Sequence, residues 1–165
     1  MSQTPRTTGT SSAPRLPAPR AMFKIMNPLM KLMLQSPLHG GMSKRLMVLY
    51  FTGRKTGKQY ATPVGYVREG SSILVFTHSA WRNNFKDPAP VKMRIRGKDV
   101  CGTARLVTDP LRIQQMVRQF INANGEEMSR RMNLWVDHVE TASPNEVLTA
   151  TQGTYFIEIQ VNETQ

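Results

Sequence analysis

The chain has 165 residues, 39% of them hydrophobic, and carries 22 Lys and Arg against 11 Asp and Glu, a net charge of +11. That length and apolar share suffice for one domain with a real core, whereas a single cysteine, Cys101, excludes an intrachain disulfide framework and three scattered histidines offer no metal-ligand spacing, so no metal is expected. The charge excess lies wholly within residues 1–68, which hold eleven Lys or Arg and no acid, and this points to an anionic partner, whether nucleic acid, a lipid surface or a polyanionic small molecule.

Residues 1–20 are rich in Pro, Ser and Thr, include Arg6, Arg15 and Arg20, and have almost no large apolar side chain, so a disordered basic tail is expected. Their composition overlaps that of organellar transit peptides, but they supply neither an amphipathic helix nor a secretory apolar core. Cytoplasmic residence, extending to the inner membrane face, is the default expectation. The single domain is placed at 21–165 and opens with an amphipathic helix over 21–36, where Met22, Phe23, Ile25, Met26, Leu29 and Met30 begin a broad apolar sector. Asn27-Pro28 is a cap and first-turn pair, and Ser36-Pro37 a stop. The stretch is too short and too charged to span a bilayer. It either packs across the mouth of a barrel or lies on anionic lipid with its methionines inserted. His39 reads as a turn residue before Gly40-Gly41.

Strand signals then recur at Leu46–Thr52, Tyr60–Val67, Ser72–His78, Val91–Arg96 and Val100–Val107. Val91, Met93 and Ile95 alternate with Lys92, Arg94 and Arg96, placing three cations on one face that is either solvated or part of a basic cleft. Cys101 falls in an alternating strand and reads as a small buried hydrophobe. Asp109-Pro110 should cap a helix to about Ala123, closed by Asn124-Gly125. A second helix is expected from Glu126 to Val139, containing His138, and a last strand over Thr154–Val161. Strands joined by hairpins with helices at the ends argue for the α+β class, mainly antiparallel, with a barrel and peripheral helices.

Between the first two strands lies Gly53-Arg-Lys-Thr-Gly57. Two glycines free the backbone, two cations supply charge and Thr56 supplies a hydroxyl, so the turn is able to wrap an anion such as phosphate; ordinary hairpin chemistry is the alternative. Walker spacing is absent and strand signals follow the turn, which argues against nucleoside triphosphate chemistry. Past the third strand, His78, Trp81, Arg82, Asn83 and Asn84 gather an imidazole, an aromatic plane, a guanidinium and two amides, the kind of group that loops at a barrel mouth present. Taken singly, His78 also reads as a satisfied strand-end histidine and Trp81 as a lid on the core. No Ser/His/Asp or Cys/His set and no carboxylate pair has interpretable spacing, so an enzyme built on this chain needs a cofactor to carry the reaction.

Phe51-Thr-Gly-Arg-Lys-Thr-Gly57, Thr62-Pro-Val-Gly-Tyr66, Trp81-Arg-Asn-Asn-Phe85 and Ala89-Pro-Val-Lys-Met-Arg-Ile-Arg-Gly97 together resemble the deazaflavin (F420)-dependent nitroreductase and F420H2-dependent quinone reductase family, over roughly residues 25–110. The resemblance implies a split β-barrel that binds reduced F420, with FMN as the lesser candidate, and passes hydride to a quinone, a nitroaromatic or another small lipophilic acceptor. It assigns the cofactor's acidic tail to Gly53, Arg54, Lys55, Thr56 and Gly57, and places Pro63, Thr77, His78, Trp81 and Arg82 near the ring or the acceptor. His78 and Tyr66 are the candidate proton donors. Related barrels often pair as homodimers. The chain departs from nitroreductase representatives at Tyr60, where they carry arginine, at Gly65, where they carry tyrosine, and in a shorter segment from Thr77 to Phe85. Two rival readings stand beside this one. A noncatalytic flavin- or lipid-binding barrel at a membrane surface would use the 21–36 helix. A nucleic-acid module is permitted by charge but has no helix-turn-helix, RNP or zinc pattern behind it.

Overall fold

Apolar residues recurring at every second position set the strands, and the computed structural model, which describes residues 46–162, pairs six of them. These are β1 (Leu46–Thr52), β2 (Gln59–Glu69), β3 (Ser72–Thr77), β4 (Ala89–Ile95), β5 (Lys98–Val107) and β6 (Tyr155–Val161). All pairings are antiparallel in the order β1-β2-β3-β6-β5-β4, and β1 closes on β4 with Leu49 opposite Met93. Closure removes the sheet edges. The expected antiparallel barrel with peripheral helices is therefore present. The tail at 1–20, the helix over 21–36 and His39 lie outside the described residues.

Two apolar clusters share the strands between them. Met47, Leu49, Ile73, Val75, Met93 and Ile159 fill the barrel interior, while Leu74, Phe76, Val107 and Phe156 point outward under the helices. Every residue of β3 is consequently buried, which explains its unbroken Ile-Leu-Val-Phe run. The outer layer is α1 (Pro110–Arg131) and α2 (Pro144–Ala150). Asp109 caps α1 by accepting the Leu111 N–H at 3.2 Å, with Pro110 in the first turn. Burial of Met116, Val117 and Phe120 against the outward face contributes roughly 1.5–3 kcal/mol per side chain.

Several expectations need correction. The helix does break at Gly125 (φ 78°, ψ 174°), but its second part ends at Arg131 and not at Val139. From Met132 onward the chain turns beneath α1, burying Leu134, Val136 and Val139. Its turns use left-handed Asn133 (φ 55°) and His138 (φ 52°), so His138 is not a helix residue. Cys101 is exposed, because the register of β5 sends Gly102 and Ala104 inward and leaves Cys101 opposite Lys92 on the outer face. Arg96 sits in the β4–β5 turn at φ 48°, leaving Lys92 and Arg94 on the strand face, where both pair with Asp99.

Arg112 of α1 ties helix to barrel by bridging Glu69 and Glu158, and Glu158 also takes Arg105 at 2.6 Å. Burial would push the Glu158 carboxyl up, but hydrogen bonds from Arg105 and Arg112 outweigh it and hold the group below the usual carboxylate range. A carboxyl lowered by folding stabilises the protein above its unfolded value, and that stabilisation disappears as pH falls through the folded value. Arg112→Leu should cost roughly 2–3 kcal/mol at neutral pH, because it strands the partly buried Glu69 carboxylate and leaves Glu158 with Arg105 alone. Thermal melts across about pH 3–7 should show a flatter acid limb in the variant than in the unaltered protein. Equal acid limbs would mean that this cluster does not govern acid stability.

Candidate functional site

At one end of the barrel, the turn between β1 and β2 meets the 3₁₀ helix Ala80–Phe85 that follows β3. Gly53 N–H donates to the Lys58 carbonyl at 2.7 Å and Gly57 N–H to the Gly53 carbonyl at 2.8 Å, which closes the turn; Gly57 lies in the left-handed region at φ 64°. The turn is also packed. A Cβ on Gly53 would lie 2.5 Å from Tyr60 Cε2 and 2.7 Å from Thr56 Oγ1, so only glycine admits the Tyr60 ring there. The Thr56 and Tyr60 hydroxyls lie 3.3 Å apart, and Lys58 N–H donates to Thr56 Oγ1.

The other wall is held by polar contacts to the turn and by aromatic packing beneath it. Asn84 accepts the Arg54 backbone N–H at 2.9 Å, and Arg54 Nη1 donates to Asp87 Oδ2 at 2.8 Å. The ring of Phe51, the last inward side chain of β1, stacks on Tyr60 at 5.5 Å and meets Trp81 at 5.7 Å and Phe85 at 5.4 Å. Phe85 is fully buried and anchors the 3₁₀ helix on the barrel core.

Between these walls lies a cleft of about 500 Å³ lined by Phe51, Gly53, Arg54, Lys55, Thr56, Tyr60, Ala80, Trp81, Asn83, Asn84 and Lys86. Its lining holds three cations and no carboxylate, beside an aromatic floor. Such a site suits a ligand that joins anionic groups to a planar apolar ring. Among the described residues, no group of three or more His, Cys, Asp or Glu is placed to hold a metal.

The structure thus brings together Gly53, Arg54, Lys55, Thr56, Trp81, Asn83 and Asn84, with Gly57 closing the turn behind them. It places the other candidates elsewhere. Pro63 sits within β2 opposite Val48, and Tyr66 packs on the barrel interior. Thr77 is buried at the end of β3 and accepts the Ser79 N–H at 3.1 Å. His78 Nε2 lies 3.0 Å from Thr154 Oγ1, and the Arg82 guanidinium lies 3.4 Å above the Tyr155 ring. Phe51, Tyr60 and Lys86 were not among the residues assigned from sequence. Each had a signal: Phe51 ends an inward-facing period, Tyr60 stands at the start of the next strand, and Lys86 directly follows Trp81–Phe85.

The sequence model of the F420H(2)-dependent quinone reductase family matches residues 35–146. No curated protein matches the chain. Among solved structures, the heme storage protein HutZ from Vibrio cholerae is similar at 13% identity and a TM-score of 0.50, covering 84% of this chain and 92% of that one. An F420-H2 dependent reductase, FDR-A, is similar at 20% identity and a TM-score of 0.48, covering 72% and 95%. At such identities the likeness to HutZ speaks for the fold alone. It is the sequence match, spanning most of the chain and both walls of the cleft, that assigns it: the chain belongs to the F420H(2)-dependent quinone reductase family, oxidoreductases that depend on the deazaflavin F420.

Proposed function

We propose that this protein binds reduced F420 in the cleft between the Gly53–Gly57 turn and the 3₁₀ helix and reduces a lipophilic acceptor of the quinone class. The observation that carries the reading is the cleft itself, in which cationic and hydroxyl groups of the turn stand beside Phe51, Tyr60 and Trp81 with no acidic residue in the lining. These residues fit the group. Gly53 lets the Tyr60 ring close against the turn, Lys55 and Thr56 provide a cation and a hydroxyl for acidic substituents, and the aromatic floor provides a face for a flat ring.

When bound, the deazaflavin supplies the hydride from its own ring. The protein's part is to bind and orient. Lys55 and Thr56 hold the anionic end, Phe51 and Trp81 present an apolar surface that excludes water from one side of the ring, and Tyr60 keeps Thr56 in place through its hydroxyl. Among the described residues no helix is long and apolar enough to cross a membrane. Approach to a membrane-borne acceptor is assigned in this proposal to the apolar 21–36 segment, and pairing into a homodimer is compatible with it.

Steady-state oxidation of reduced F420 by a soluble naphthoquinone, with a nitroaromatic compound in parallel, tests the reading. Lys55→Ala should raise KM for the cofactor roughly 10- to 100-fold, the equivalent of 1.5–3 kcal/mol for a hydrogen bond to a charged group, with an unchanged melting temperature. Turnover with the nitroaromatic alone would move the acceptor class away from quinones. No turnover with either acceptor would remove the reductase assignment for this chain.

A further inference from the structure

The three cations of the cleft are not equivalent. Arg54 is engaged on both its backbone and its side chain, by Asn84 and by Asp87, and these bonds join the turn to the C-terminal end of the other wall. Lys55 and Lys86 are exposed, line the cleft and have no ion-pair partner among the described residues. They also come from different elements, Lys55 from the β1–β2 turn and Lys86 from the C-terminal cap of the 3₁₀ helix. The Phe51–Trp81–Phe85 packing fixes those elements relative to each other, so the two ammonium groups belong to separate walls of one preorganised site. Surrounding charge reinforces them, since Lys58 adjoins the turn and Asp87 is already paired.

We propose that Lys86 is a second anion-holding residue of the cleft, acting with Lys55 from the opposite wall, so that the preferred ligand carries at least two anionic groups separated along its length. Arg54 is then a positioning residue that joins the walls. The inference rests on the cleft being the cofactor site but concerns the charge pattern of whatever occupies it. Two ammonium groups on independent walls favour a multivalent anion over a monovalent one of the same chemistry, because the second contact forms at the effective concentration set by the first.

Isothermal titration with inorganic triphosphate, and separately with F420, tests it on the full chain and on Lys86→Gln, Lys55→Gln and Lys98→Gln. Lys98 lies at the β4–β5 hairpin, at the other end of the barrel, and serves as the control. Lys86→Gln is expected to raise the Kd for triphosphate and for F420 about tenfold, close to the effect of Lys55→Gln, while leaving the melting temperature unchanged and flattening the salt dependence. Lys98→Gln should bind as the unaltered protein does. Equal affinity of Lys86→Gln and the unaltered protein for both ligands would overturn the proposal. Triphosphate binding that depends on Lys86, with no F420 binding in any variant, would uphold it and bring down the cofactor assignment instead; an unaltered protein that binds neither would overturn both.

Discussion

Phe85→Ala is expected to destabilise the protein by about 3–5 kcal/mol, the range for removing a fully buried aromatic side chain, and to lower the thermal midpoint by roughly 10–20 °C. The residue has no solvent exposure and holds edge-on contacts with Phe51 and Trp81 at 5.4 and 5.9 Å, so its removal leaves a cavity that neither ring can close without leaving the other. Phe85→Leu keeps most of the volume and should cost no more than about 1.5 kcal/mol. Because the same ring seats the 3₁₀ helix, the alanine variant should also lose cofactor binding at temperatures where it is still folded. Urea unfolding followed by far-ultraviolet dichroism reads the first effect. A shift below 1 kcal/mol, by the same standard for core truncation, would mean that the 3₁₀ helix is not packed on the core as described.

Gly53→Ala should have the opposite balance, with a modest effect on stability and a large one on binding. The new methyl group would overlap the Tyr60 ring at 2.5 Å and the Thr56 hydroxyl at 2.7 Å. Tyr60 is 40% exposed and able to swing into solvent, so the overpacking should cost only about 1–2 kcal/mol. That movement unstacks Phe51 and separates the Thr56 and Tyr60 hydroxyls, and F420 affinity should fall at least about tenfold. Adding Tyr60→Ala removes the closer of the two clashes and leaves only the one with the rotatable Thr56 hydroxyl. The double variant should recover stability relative to Gly53→Ala while still binding poorly, a non-additivity of the kind expected for residues in contact. Full binding by Gly53→Ala would show that the close approach of Tyr60 to the turn is unimportant to the site.

The strands were legible because period-two alternation is a property of single segments. Leu46–Thr52 was read to the residue, and the others to within a few positions. The α1 break was legible for a related reason, since Gly125 is the only residue type that takes its conformation without strain. What failed depended on context. Cys101 and its neighbours alternate equally well in either phase, and the phase is set by which residues face β4 and β6, information absent from β5 alone. The stretch from Met132 to Val139 is apolar enough for a helix, yet burial of Leu134 and Val136 beneath α1 favours a winding path with two left-handed residues. Helix α2 was missed although Ser143-Pro-Asn-Glu146 spells a capping box, which the structure forms in full. The glycine turn and the Trp81 segment were each visible as chemistry, but only the closure of β1 against β4 brings them to one cleft. The Arg112–Glu69–Glu158 cluster joins residues far apart in sequence and left no local signal at all.

A fluorescence titration of the purified full chain with F420, with FMN as competitor, tests the central claim most directly. Saturable binding at micromolar concentration or tighter, weakened by Lys55→Ala and by Gly53→Ala and resistant to equimolar FMN, is the result this account expects. Absence of saturable F420 binding, or binding indifferent to both substitutions, would contradict the placement of the cofactor between the glycine turn and the 3₁₀ helix.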